Sequence, residues 1–427
     1  MTLTVVLDDD PTGTQAATGV TVLLSWTAAD LIAVLRDEGS VYLQTNSRAI
    51  NAPAAVALAR RIRGEIAEAE AALGEPVLVV LRGDSTLRGH VFAESDVFAS
   101  GPDGAADGRI LLVPAFPGGG RTTIGGVHRV RIDGVDTPVG ETEFARDPVF
   151  GFRSSDLVEW VAEQGARDAR SVSLDDLRAS GGLAVAETLA AVGPGEVVVP
   201  DVETDADIEL VHRGLVAALA ARERVVVRSA ATLAARCAGR LSTGLLPRPI
   251  AVPSPGVLVV CGSHTGAAGE QLAALTAALD EAPIVVDTDD ALEDAVATGR
   301  RAAALAAEQL DAGRVAVVAS ARHRRDGDGT LEHGEAVMRA LMTAARELAP
   351  RVGTIVSKGG ITSAEVARTA FGADRATVRG QVAAGISVFD LDAVGAPRVQ
   401  VVVPGNVGGA ATLVDVIAAL GIPPRAQ

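Results

Sequence analysis

Short, continuous apolar runs recur along the chain, and many of them close on a polar or glycine-rich turn. Residues 3–7 run directly into Asp8-Asp9-Asp10-Pro11-Thr12-Gly13-Thr14, and further apolar runs follow at 41–43, 77–81, 110–113, 197–199 and 225–227. Such runs do not alternate apolar with polar positions, so they predict strands buried on both faces, as in parallel sheets. Ala-rich stretches with helical spacing, such as residues 54–72, fall between them. Charge at the end of an apolar run lies at the carboxyl edge of such a sheet, where open α/β folds bind ligands.

The pattern is interrupted once. Residues 247–255 hold four prolines, which suits an extended connection and excludes a helix. Beyond them the alternation resumes, with apolar runs at 257–260, 284–286, 315–318, 354–356 and 399–403. The expected architecture is two α/β domains, residues 1–245 and 257–427, joined by a linker at 246–256. Each has a mainly parallel sheet with helices on both faces, and the active site is expected in the cleft between the two. Residues 116–152 are rich in Gly, Thr and Arg without clear periodicity, and are expected to form a long functional loop.

Composition narrows this picture. A length of 427 residues exceeds one usual core. Apolar residues make up 48% but aromatics only 3%, so the cores are built from Ala, Val and Leu. The 54 acidic against 38 basic side chains give a net charge of −16, which argues against nucleic acid and anionic membranes as partners. Cys237 and Cys261 are the only cysteines, so a disulfide framework and a thiolate metal site are excluded. With no secretory leader and no apolar run of membrane-spanning length, the cytoplasm is the expected address. Few aromatics remove the usual markers of an interface core, although an Ala/Val/Leu face is compatible with a homodimer.

Three adjacent carboxylates repel one another, so a cation, an arginine or a hydroxyl donor is expected among Asp8, Asp9 and Asp10. Two further polar clusters follow the next strands of this half, Thr45-Asn46-Ser47-Arg48 and Arg82-Gly83-Asp84-Ser85-Thr86-Leu87-Arg88-Gly89-His90. Both should reach the same sheet edge as Asp9 and Asp10. Arginine forks suit carboxylates, while Asp and Ser suit hydroxyls, a pairing that fits a small sugar acid. Gly118-Gly119-Gly120-Arg121 suits either a flexible lid with a positive head or a surface loop with Arg121 in solvent. His90 and His128 lack metal-site or triad spacing and read as structural or solvent-facing.

Turns of another kind mark the second half: Cys261-Gly262-Ser263-His264-Thr265-Gly266, Ser357-Lys358-Gly359-Gly360-Ile361-Thr362-Ser363 and Pro404-Gly405-Asn406-Val407-Gly408-Gly409. Each is expected to precede a helix, and repeated strand, Gly/Ser/Thr turn and helix units point to phosphate binding. No P-loop motif and no dinucleotide fingerprint occurs. Lys358 suits either a phosphate contact or an exposed position.

These residues resemble, in order and over nearly the whole length, the four-carbon acid sugar kinase family. The shared elements are Asp9-Asp10-Pro11-Thr12-Gly13, Ser47-Arg48, the Asp84 to Gly89 signature, and the segment from Val113 to Pro117 ending in Gly120-Arg121-Thr122. In the second half they are Gly262-Ser263 with Gln271, Gly359 to Thr362, and Pro404 to Gly408. The resemblance implies sugar-acid binding through Thr12, Ser47, Arg48, Asp84, Ser85, Arg88 and Arg121, with Arg88 and Arg48 on the carboxylate and Asp84 on hydroxyls. It implies that Asp10 or Asp9 orients or deprotonates the attacking hydroxyl. ATP with Mg2+ would sit on Ser263, Lys358, Gly359, Gly360, Ile361, Thr362, Gly405 and Asn406. Arg82 in place of lysine, Ile361 in place of Glu and the additional Asp8 depart from the family pattern and point to a subgroup. Two other classes share the architecture: an NAD-dependent sugar-acid oxidoreductase, for which no dinucleotide turn is present, and a two-domain sugar-acid or nucleotide sensor.

Overall fold

The computed structural model describes residues 2–101, 104–132, 134–253, 256–321, 331–393, 395–405 and 407–423. It divides into two compact units, Met1–Thr21 with Trp26–Ser242, and Val22–Ser25 with Thr243–Gln427.

The first unit is built on seven parallel strands in the spatial order Ser40–Gln44, Leu3–Asp8, Val77–Arg82, Val225–Ser229, Arg109–Val113, Val197–Pro200, Ala169–Val172. The apolar runs at 3–7, 41–43, 77–81, 110–113, 197–199 and 225–227 all lie within these strands. Only the exposed edge strand Ala169–Val172 lacks such a run. The helix Ala52–Leu73 shows why the intervening stretches coil. The Asn51 side chain accepts the Ala54 N–H at 3.0 Å, a proline occupies the first turn, and Gly74 ends the helix at φ 73°. Ala55, Ala59, Ile62, Ile66 and Ala69 form its buried stripe.

Residues 116–152 are not the long loop that their composition predicts. Arg121–Ile124, Val127–Ile132 and Val135–Pro138 form a separate antiparallel sheet, followed by two short 3-10 turns. Gly125 and Gly126, both at positive φ, make the first hairpin, and their N–H groups donate to Asp201 at 2.8 and 2.9 Å. Glycine here marks a tight turn between strands rather than an unstructured segment.

In the second unit Ile284–Val286, Ala316–Ser320, Val257–Cys261, Thr354–Lys358 and Arg398–Val403 run parallel in that order, and Ile386–Asp392 and Arg375–Ala383 continue the sheet antiparallel. Buried clusters line both faces, one around Leu272, Leu275, Val416 and Ile417 and the other around Ala302, Ala306, Leu341 and Leu348. The chain enters this unit at Ser242–Thr243, and the proline-rich segment packs on it. Leu246 N–H donates to Gln381 O at 2.8 Å, Ile250 N–H donates to Ala419 O at 2.8 Å, and Ile250 is buried. No described helix is long and apolar enough to cross a membrane.

Candidate active site

Strand order locates the site in the first unit. From Leu3–Asp8 the chain crosses to Ser40–Gln44 on one side, and the next strand, Val77–Arg82, lies on the other. The turns after Leu3–Asp8 and Val77–Arg82 therefore leave a topological switch point, the usual place for a ligand in an open parallel sheet. Asp8 is in register with both Gln44 and Arg82, so the three polar clusters reach one edge, as their positions after successive strands predict.

The expected partners of the three carboxylates are arginines and a threonine. Asp8 is buried and accepts from Arg82 at 3.0 Å. Burial pushes its carboxyl up to about 7 against the pull of Arg82. Gly13 packs directly on this carboxylate: a Cβ there would stand 1.8 Å from Asp8 Oδ1, so no side chain fits. Asp9 is buried between Arg82 and Arg228, each 3.6 Å away, and neither of its oxygens has a hydrogen-bond partner. Burial raises its pKa as well. Arg228 in turn donates to the buried Glu94 at 2.7 Å. A Cβ at Gly83 would lie 2.6 Å from this guanidinium, which explains a glycine immediately before Asp84.

The raised pKa of Asp8 fixes the sign of a pH effect. Between its ordinary value of 3.8 and about 7 the folded chain holds a proton that the unfolded chain releases. Stability from this group is thus complete below the ordinary value and is lost as pH rises through about 7. The unfolding midpoint is expected to fall between about pH 5 and about pH 8, and Asp8→Asn to shrink that fall. An equal fall in both proteins would contradict the assignment.

Asp10 behaves differently. Burial works to raise its pKa, but Arg48, Arg82 and the Thr12 hydrogen bonds outweigh it and hold the carboxyl below the usual range. Its Oδ2 pairs with Arg48, and its Oδ1 accepts both the Thr12 hydroxyl and, at 2.8 Å, the Thr12 N–H. Arg48 also faces Asp84 at 3.5 Å. Arg88 donates to Asp84 at 2.7 Å, lies 3.7 Å from Asp147, and stacks over the Phe144 ring. Against burial, Arg48 and Arg88 hold Asp84 well below the usual carboxylate range. Arg48 and Arg88, expected on a ligand carboxylate, are thus both engaged by carboxylates of the chain. Ser47 is buried in the short 3-10 turn Ser47–Ala49 and accepts from the Thr45 hydroxyl at 3.4 Å.

Ser85 contributes through its backbone. Its carbonyl accepts His128 Nε2–H at 2.8 Å, and the Thr123 hydroxyl donates to His128 Nδ1 at 3.0 Å. Burial pushes this imidazole down to about 4, so it is neutral at neutral pH. His128 has a structural role and ties the small antiparallel sheet to the Asp84 turn. Arg121 opens that sheet and donates to the Gly119 carbonyl. Arg228 and Glu94 belong to the network without a motif that marks them, and Asp147, in a charge-mixed segment that reads as an ordinary salt-bridged loop, joins it through Arg88. The one available signal was a charged Arg228 at the end of an otherwise apolar run.

In the second unit the crossovers also reverse, between Val257–Cys261 and Thr354–Lys358, which brings their turns together. Gly359, at φ 110°, lies against Ser263, and the Thr265 hydroxyl donates to Gly405 O at 2.8 Å. Thr265 also caps Gly266–Leu279 by accepting the Ala268 N–H. Lys358 is neither exposed nor aimed at solvent. It is fully buried, its Nζ donates to Pro404 O at 2.6 Å, and burial pushes its amine down to about 8. Gln271 bonds the carbonyls of Val407 and Gly408. Gly360 and Thr362 lie in the first turn of Gly360–Glu365, with Thr362 buried and Ile361 exposed. Asn406 lies outside the described residues. Among the described residues no three His, Cys, Asp or Glu side chains converge to hold a metal.

Two family descriptions match this chain, a sugar-binding N-terminal domain over residues 4–237 and a nucleotide-binding C-terminal domain over residues 258–413. The chain is 30% identical over 302 residues to the D-erythronate kinase of Heliobacterium modesticaldum, covering 67% of this chain and 63% of that one. It is 34% identical over 201 residues to the D-threonate kinase of Cupriavidus necator, covering 45% and 44%. Against the D-threonate kinase of Salmonella typhimurium identity is 36% over 135 residues, covering 31% and 30%. The matches thus span less than two thirds of each of these relatives. The fold resembles that of a Haemophilus influenzae protein from a family of unassigned function, with a TM-score of 0.65, 18% identity and coverage of 98% and 99%. It also resembles a Salmonella typhimurium protein described as a tRNA synthase, with a TM-score of 0.69, 18% identity and coverage of 97% and 98%.

Proposed function

Because the chain belongs to the four-carbon acid sugar kinase family, we propose that it transfers the γ-phosphate of ATP to a hydroxyl of a sugar acid of the threonate, erythronate or oxo-tetronate class. The observation that carries this reading is Asp10, a carboxylate kept ionised by Arg48 and Thr12 at the switch point of the sheet. A pure anion binder gains nothing from such a charge. A kinase uses it to accept a hydrogen bond from the attacking hydroxyl and to take its proton as the new P–O bond forms and the bond to ADP breaks.

Phosphoryl transfer asks a protein mainly for positioning and charge stabilisation. Thr12, Ser47, Arg48, Asp84, Ser85 and Arg88 would form the polar floor on which the sugar hydroxyls lie, with Asp84 accepting from them. Asp9 has fully buried oxygens, so it acts on this floor through Arg82 and Arg228 rather than on the substrate. ATP would occupy the turns at Ser263, Gly359 to Thr362 and Gly405-Asn406, with Lys358 bracing two of them from below through Pro404. Asp8, Asp10 and Asp84 are each paired with an arginine, and among the described residues no three His, Cys, Asp or Glu side chains form a cage. This suits Mg2+ that arrives on the nucleotide phosphates with its own waters.

The test is incubation of the purified protein with Mg2+, ATP and a panel of threonates, erythronates and oxo-tetronates, following ADP release and product mass. A sugar-dependent phosphate adduct is expected. Binding of a sugar acid without any adduct would favour a sensor, and reduced-nicotinamide absorbance with NAD in place of ATP would favour an oxidoreductase.

A further inference from the structure

We propose that Asp8 is a positioning residue that acts through Arg82 and ties turnover to the charge of a buried carboxyl, an inference that rests on the kinase reading above. Asp8 and Arg82 are two of the three departures from the family pattern, and they are partners. The Asp8 carboxylate accepts from Arg82 Nη1 at 3.0 Å. Their strands explain the pairing: Leu3–Asp8 and Val77–Arg82 run parallel with Asp8 in register with Arg82, so the last residues of neighbouring strands meet at the carboxyl edge. Neither is a surface charge, with side chains only 2% and 6% exposed.

Arg82 does not serve Asp8 alone. The same Nη1 lies 3.6 Å from Asp9 Oδ1, and Asp9 has no hydrogen-bond partner on either oxygen. Its charge also reaches Asp10, where, against burial, Arg48 first and Arg82 next hold the carboxyl ionised. One cation therefore bears on three adjacent carboxylates, and its hydrogen bond goes to Asp8. With Asp8 ionised, Arg82 is largely neutralised and Asp10 stays a ready acceptor for the proton of a hydroxyl. With Asp8 protonated, the charge of Arg82 falls on Asp9 and Asp10, which makes Asp10 a poorer acceptor.

The surroundings of Asp8 favour this role. Gly13 packs on its carboxylate with no room for a Cβ, and the Gly13 N–H donates to Asp10 O at 3.0 Å, so the carboxyl lies directly against the turn that carries Asp10. Besides Arg82, Asp9 and Asp10, the Tyr42 phenol faces Asp8 from the neighbouring strand. Burial keeps that phenol protonated, and it pushes the Cys237 thiol, which Tyr42 faces in turn, up to about 12, so neither changes charge near neutrality. Asp8 does, at about 7, while Asp10 stays ionised. Burial favours the protonated form of Asp8 and catalysis the ionised one, so stability and turnover respond to pH in opposite directions.

The experiment follows ADP release with D-erythronate and D-threonate from about pH 5.5 to about pH 8.5 in wild type, Asp8→Asn, Arg82→Lys and the double variant. In wild type kcat/KM is expected to rise through about pH 7. Asp8→Asn has no charge to gain: at about pH 8 its kcat/KM is expected about 10-fold below wild type, the order of one charge-assisted hydrogen bond, and its profile keeps only the slope that ATP contributes. Arg82→Lys is expected to lose at least as much, because an ammonium is more strongly hydrated and harder to bury among three carboxylates. The double variant, with one carboxylate fewer to balance, should recover part of that loss. An Asp8→Asn profile as steep as that of wild type, or additive losses in the double variant, would overturn the inference and leave the kinase reading intact. A wild type that forms no adduct at any pH would reject the kinase, and calorimetry of D-erythronate binding across the same range then decides for the pair. A pH dependence lost in Asp8→Asn would uphold it, and an unchanged dependence or no binding would overturn it. Unfolding midpoints of the variants identify any loss that comes from misfolding.

Discussion

Asp10→Asn is expected to lower kcat on the order of 10^3-fold, the range found when a positioned acid or base is removed. KM for ATP is expected to remain essentially unchanged. The substitution preserves shape and leaves the Asn carbonyl able to accept the Thr12 N–H, which Asp10 accepts at 2.8 Å. It removes the charge that Arg48 holds in place, and with it the acceptor proposed for the attacking hydroxyl. The turns proposed to hold ATP belong to the other unit and share no residue with this network. Asp10 stays ionised well into acid, so its own titration does not shape the activity profile around neutrality. Steady-state kinetics with saturating sugar acid check the split. Equal losses in turnover and in ATP affinity would show a role in folding or nucleotide binding instead. Asp9→Asn provides the contrast, since its oxygens are buried and its effect reaches substrate only through Arg82 and Arg228.

What sequence alone reveals and what it hides differ for physical reasons. Parallel strands buried on both faces leave uninterrupted apolar runs, and a turn that ends a strand must sit at the sheet edge. Hence Asp8–Asp10, Ser47-Arg48 and Asp84–Arg88 are legible as one edge from the sequence alone. The half-buried hairpin of Arg375–Ala383 and Ile386–Asp392 left no such run. It mixes Arg, Thr and Gly with its apolar positions, and its register shifts between Val378 and Gly380. The small sheet at Arg121–Pro138 was masked by its glycines. Partner choice was the least legible feature. Arg228 lies 134 residues from Glu94, and His128 lies 43 from Ser85. Such pairs follow from the lateral order of strands, which apolar periodicity does not encode. The same limit hides from the sequence that Arg88 and Arg48, expected on a ligand carboxylate, are paired with Asp84 and Asp10.

The largest loss of stability is expected from Arg228→Met. Arg228 is 3% exposed, donates to Glu94 at 2.7 Å and stands 3.6 Å from Asp9, two carboxylates that are themselves buried. Removing the guanidinium leaves Glu94 without its cation and Asp9 with Arg82 alone, and breaking a buried pair typically costs about 3–5 kcal/mol. Replacing the whole pair is a different matter, because desolvating two charges offsets much of their attraction. The double variant Arg228→Met with Glu94→Leu is therefore expected to be more stable than Arg228→Met alone. Both tryptophans, Trp26 and Trp160, belong to the first unit, so their fluorescence during denaturant unfolding reports on this unit within the intact chain. Additive losses in the double variant would mean that Arg228 and Glu94 contribute independently. Asp9 would then be the main counter-ion of Arg228, and its raised pKa would have to arise despite a close ion pair rather than from incomplete pairing. A partial recovery places the energetic weight on the Arg228–Glu94 pair. In that case Asp9 stays an under-paired carboxylate next to Asp10, held by Arg82 alone once Arg228 is gone.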